Sequence, residues 1–172
     1  MIPEWATKKI KNTFSEELLS WRVKLIERSI EFSEKNQMEK SNQCEEIIAG
    51  IIGELKRRVS DKSVDDNLSK QAKIPEIGVM RTMGYHVGKW KGLKPETRRR
   101  ILREIFTGPL IMVGSLDHME EWGEDRSKLR LEKIKRNLKS FISANENREE
   151  LRTAVLEWKA DLDYVNKTYS ES

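Results

Sequence analysis

Apolar residues recur at three- and four-residue intervals along most of this chain, and the places where that rhythm stops mark out its elements. Leu19, Val23, Ile26 and Ile30, widened by Leu18, Trp21, Leu25 and Phe32, predict a long amphipathic helix from about Ser15 to Lys35 with Ser15 as its N-cap. After a polar break through Gln37 to Gln43, the residues Ile48, Ile51, Ile52, Leu55 and Val59 predict a second helix. Asn42 would open it, with Glu45 three residues on completing a capping box. Gly50 and Gly53 fall inside this helix, where each costs about 1 kcal/mol relative to Ala. Close approach of a neighbouring helix is the reason to expect them there.

The period is lost from Ser60 to Lys73, where Asp61, Asp65, Asp66 and Asn67 interrupt it. This divides an N-terminal helical hairpin (1–60) and a polar linker (61–73) from a C-terminal helical module (74–172). In the module, Pro75 opens a short helix through Met83 that Gly84 stops as a C′ residue. Lys94-Pro95 starts another, which Gly108-Pro109 ends. Projected at helical pitch, it places Ile101, Leu102, Ile105 and Phe106 on one face, with Arg98 on that face one turn earlier and Arg100 and Arg103 pointing away.

A short helix from about Ser115 ends at Gly123, and a longer one runs from Ser127 through Leu131, Ile134, Leu138, Phe141 and Ile142. The last starts at Asn147, with Glu150 in a second capping box, and repeats Leu151, Val155, Trp158, Leu162, Val165 and Tyr169. Nothing longer than Tyr85 to Val87 alternates with period two. The expected fold class is therefore all-α: an N-terminal helical hairpin plus a compact multi-helix C-terminal module.

Charge changes this picture more than composition does. The formal net charge of +4 conceals two basic segments, Lys89 to Arg103 and Arg126 to Lys139, each with seven cations against one acid, on an otherwise acidic chain. A positive patch of that kind steers toward phosphate backbones or an acidic partner. The single cysteine, Cys44, and a start unlike a signal peptide point to a reducing cytoplasm. The best apolar run, Leu110 to Val113, is far shorter than the roughly 18 to 20 residues that cross a bilayer, so no membrane partner is expected.

Candidate chemistry centres on Gly84, Gly88 and Gly92, three glycines in nine residues, which mean a specific and compact loop. Its Lys89, Trp90, Lys91 and Lys94, with Arg99, Arg100 and Arg103 of the following helix and Lys128 and Lys135 of the second basic segment, are the candidate nucleic-acid contacts. Trp90 either stacks on a base or anchors the loop to the core. His86, His118 and Cys44 lack ligand spacing, so no metal or other cofactor is expected. Asp117, Glu120, Glu121, Glu124 and Asp125 gather near His118 as an acidic helix end, or as Mg²⁺ ligands if the chain is a nuclease. The phosphate-binding loop and nucleophile elbow motifs are absent. Asp161 or Asp163 is expected to pair with an arginine of the basic helices, Arg98 being one choice.

Taken together, Gly84 to Gly88, Arg99 to Leu102, Glu121-Trp-Gly123, Ser127 to Arg136 and Glu157 to Tyr164 resemble a helical module of uncharacterised bacterial proteins. The resemblance covers about half the chain, implies a link to DNA transactions or phage defence, and carries over no catalytic residue. The expected function is nucleic-acid binding without chemistry. The alternatives are an interaction subunit or homodimer pairing through the stripe Leu19 to Ile30 or Leu151 to Tyr169, and a metal-dependent nuclease.

Overall fold

A computed structural model describes residues 2–60, 78–90, 92–110 and 121–169. The fold is all-α, with a helical hairpin at the N-terminus and a multi-helix C-terminal part, and no strand occurs among the described residues. The chain divides into two compact units, one running up to Gly78 and the other beginning at Val79. The expected linker, 61–73, lies outside the described residues, as does most of the short helix expected from about Ser115 to Trp122, of which Glu121 and Trp122 are described and helical.

The first unit holds α1 (Glu4–Asn12), α2 (Ser15–Glu34) and α3 (Met38–Ser60). Leu18, Leu19, Leu25 and Ile26 of α2 are buried, as are Ile47, Ile48, Ile51 and Leu55 of α3. Complete burial of such side chains stabilises by about 1.5–3 kcal/mol each. Much of the α2 stripe expected as an alternative pairing surface is thus spent inside its own unit.

The α2–α3 connection is tighter than the polar run from Gln37 to Gln43 suggests. Asn36 takes a left-handed φ of 54°. Its N–H donates to the Ser33 carbonyl and that of Gln37 to the Phe32 carbonyl, the paired bonds of a Schellman ending. With the turn closed there, α3 begins at Met38 rather than Asn42, and Glu45 accepts from the Ser29 hydroxyl instead of capping. Ser15 is likewise not the N-cap of α2. Phe14 holds that position, and the Ser15 hydroxyl accepts from Arg58 at 3.2 Å.

Helix α1 was not expected, since its nine residues turn only Ala6 and Ile10 inward. Gly50 makes room for it: a Cβ there would stand 2.6 Å from Ile2 Cδ1 and 3.2 Å from Ile10 Cδ1. Gly53 has no such purpose, because nothing lies within 4 Å of where its Cβ would be. Arg58 fastens α1 from α3. Its guanidinium reaches the carbonyls of Ile10, Lys11 and Thr13 at 2.8–3.2 Å and is itself held by Glu54 at 2.8 Å.

The second unit contains α4 (Val79–Thr82), α5 (Pro95–Thr107), α6 (Lys128–Asn145), a 3₁₀ turn (Glu149–Leu151) and α7 (Arg152–Tyr169). Its core is built from Ile101, Leu102, Ile105 and Phe106 of α5, Leu131, Ile134 and Leu138 of α6, and Val155 and Val165 of α7. Phe106 meets Tyr169 at 4.6 Å and Phe141 meets Trp158 at 5.5 Å between ring centres. The expected capping box at Asn147 does not form. Glu150 instead sits in the 3₁₀ turn and accepts from Arg148 at 3.0 Å, so α7 begins at Arg152. No helix among the described residues is long and apolar enough to cross a membrane.

Candidate nucleic-acid interface

The candidate surface starts where α4 stops. Gly84 has φ 89°, its N–H donates to the Arg81 carbonyl and that of Tyr85 to the Met80 carbonyl, again the Schellman pair. This ending turns the chain so that Tyr85 enters the core, where its hydroxyl donates to Asp161 Oδ2 at 2.6 Å. Three residues on, Gly88 takes φ 97° and donates its N–H to Glu157 Oε2 at 2.7 Å. Gly92 then donates to the Gly88 carbonyl at 2.8 Å, closing a five-residue turn. A Cβ on Gly92 would lie 2.3 Å from that oxygen, which only glycine permits.

The turn leads into α5 through Lys94 at the N-cap and Pro95 at the first helical position. Arg98 is 2% exposed and does not face solvent. It binds Asp161 through Nε at 2.7 Å, Glu157 through Nη1 at 3.1 Å and the Leu93 carbonyl at 2.7 Å. Burial works against its charged form, but the hydrogen bonds and charge of Asp161 outweigh that and raise its pKa above the usual arginine value. Burial and then the neighbouring Asp161 carboxylate raise the Tyr85 phenol well above its ordinary value, so it stays a donor. Asp161, fully buried, is thus the carboxylate that holds Arg98, while Asp163 stays exposed. Glu157 was not anticipated. It stands four residues before Asp161 on the same face of α7, a spacing that could have shown it.

With Arg98 committed to the interior, the outer face of α5 carries Arg99 and Arg103, both exposed and one turn apart. Arg99 lies over the ring of Tyr164 at 5.3 Å, which orients its planar fork without occupying its N–H groups. Burial, then Tyr164, raise the Tyr169 phenol, with Arg103 partly offsetting them. Arg100 differs from these two. Its Nε donates to Glu104 at 3.0 Å, so part of its charge is met within the helix.

In the turn, Lys89 is exposed and Trp90 is 95% exposed. Trp90 therefore does not anchor the loop. Lys91 lies outside the described residues.

The second basic segment is more structural than its composition suggests. Ser127 caps α6 by accepting from the Arg130 N–H. The Arg130 side chain is buried and binds the carbonyls of Gly108 and Gly123 and the Asp125 carboxylate. Lys135 pairs with Glu132 at 3.6 Å, and Lys133 pairs with Glu121. Lys128 is exposed in the first turn of α6. Of the described members of the acidic group, Glu121 and Asp125 hold cations and Glu124 is exposed, while Asp117, His118 and Glu120 lie outside the described residues. Among the described residues no three His, Cys, Asp or Glu side chains come together as metal ligands.

No protein-family model matches the chain, and comparison with the curated proteins and with the solved structures found no match to either.

Proposed function

We propose that this protein binds nucleic acid through the phosphate backbone, using the turn at Gly88 to Gly92 and the outer face of α5, and that it does so without chemistry of its own. The observation that carries this reading is the division of labour among adjacent arginines. Arg98 is fixed inside by Asp161 and Glu157, while Arg99 and Arg103 are presented together on the outside. Two guanidinium forks one helical turn apart, on a helix locked to its core, form a pre-oriented pair for successive phosphates. Lys89 and Lys94 extend the positive surface, and Lys128 is a more distant candidate in sequence, whereas Lys135 is paired with Glu132. A cytoplasmic setting and a part in bacterial DNA transactions or defence belong to this same proposal.

The test is fluorescence-anisotropy titration of labelled oligonucleotides at two salt concentrations, comparing the wild type with Arg99→Ala/Arg103→Ala. Salt-sensitive binding that the double variant loses supports the reading. Absence of binding at low salt sinks it and turns attention to a protein partner.

A further inference from the structure

We infer that Trp90 makes this surface selective for unpaired bases, so that the ligand is single-stranded nucleic acid; the inference rests on the phosphate-binding reading above. The turn that carries the indole is fastened on both sides. Before it, the Gly88 N–H is held by Glu157 at 2.7 Å. After it, the Leu93 N–H donates to the His86 carbonyl at 3.2 Å, and the Leu93 carbonyl accepts from buried Arg98 at 2.7 Å. Between these ties the chain closes on itself from Gly92 to Gly88. Tyr85 and Arg98, on either side of the turn, are in the core, yet the ring at its tip is 95% exposed.

An aromatic ring held out on a fixed backbone loses little freedom when it binds. What it binds is set by its neighbours. Lys89 beside it and Lys94 beyond it are exposed cations, and Arg99 follows in the first turns of α5. An apolar pocket on another protein would have to strip water from those ammonium groups, which is costly. A nucleotide strand gives the ring a base to stack on and gives the cations phosphates. Stacking requires a free base face. In a duplex those faces are covered by neighbouring pairs, so the indole adds affinity for single strands, loops and ends alone.

The test uses the full chain with a labelled single strand and the matching duplex, for wild type, Trp90→Ala, Trp90→Phe and Arg99→Ala/Arg103→Ala. Trp90→Ala is expected to weaken single-strand binding by roughly 5- to 150-fold, the range of one stacked base, and to leave duplex binding unchanged. Trp90→Phe keeps a stacking ring and recovers most of the loss. Equal weakening of both ligands by Trp90→Ala, or no effect on the single strand, overturns the inference. If at the same time the arginine double variant loses both ligands, the phosphate reading stands without it. A wild type that binds neither ligand at low salt removes both.

Discussion

Asp161 receives hydrogen bonds from Tyr85 and from two nitrogens of Arg98 while fully screened from water. A buried ion pair adds little net stability relative to a well-packed apolar pair, but taking away one partner strands the other charge. Asp161→Ala is therefore expected to cost about 3–5 kcal/mol in urea unfolding. Asp163→Ala, two residues on and exposed, should change stability by no more than about 0.5 kcal/mol. The sequence left Asp161 and Asp163 as equals, because each flanks Leu162; only the rotation of α7 against α5 decides between them. Arg98 was legible earlier, since helical projection alone sets it with Ile101, Leu102 and Ile105 and apart from the other arginines. The outward position of Trp90 was not legible. A tryptophan among lysines reads the same whether it faces in or out, and the deciding feature is the Gly92-to-Gly88 closure, which is backbone geometry.

At the scale of elements, the first unit has its own electrostatic clamp. Arg57 and Arg58 hold the Glu54 carboxyl, by hydrogen bonds and charge against the cost of burial, at about 2 instead of its usual 4.5. A carboxylate whose folded pKa is depressed stabilises the fold fully above its unfolded value and progressively less below it. Stability from Glu54 should therefore decline as pH falls from about 4.5 toward 2. Glu54→Gln should remove that part of the acid slope when unfolding is followed against pH. Because Arg58 also caps the carbonyl end of α1, circular dichroism at low pH should report helix loss along with it.

Gly53→Ala should stabilise the hairpin by up to about 1 kcal/mol in denaturant unfolding, since its Cβ would meet nothing. The stripes of α2, α5 and α6 were readable because each repeats over several turns. Helix α1 was not, with two inward residues to announce it. The starts of α3 and α7 were misplaced for a different reason. A capping box is a two-residue signal, and at Asn42 a tighter turn at Asn36 had already started the helix.

For the molecule as a whole, the 33 lysines and arginines overstate what a polyanion would meet, since several of them are spent internally. Arg58, Arg98 and Arg130 bind carbonyls and carboxylates of their own units, and Lys133 and Lys135 pair with acids. Counting basic residues along the sequence therefore overestimates the interface, and the second basic segment loses most. If Arg99 and Arg103 each contact one phosphate, their joint removal should lower the slope of log K against log salt by about 1.4 on single strands and about 1.8 on duplex. Titration across several salt concentrations measures this directly, and an unchanged slope would place the contacts elsewhere.

The Gly88-to-Gly92 closure has a consequence for how such a protein can change over time. Because the turn is sealed by its own backbone and tied down by Glu157 and Arg98, the exposed Lys89 and Trp90 within it carry almost none of the burden of folding. They form an exchangeable cassette, in which substitutions would retune the proposed recognition while the helices beneath keep their shape. Under the proposed reading, ligand preference at this turn can therefore drift faster than the architecture that carries it.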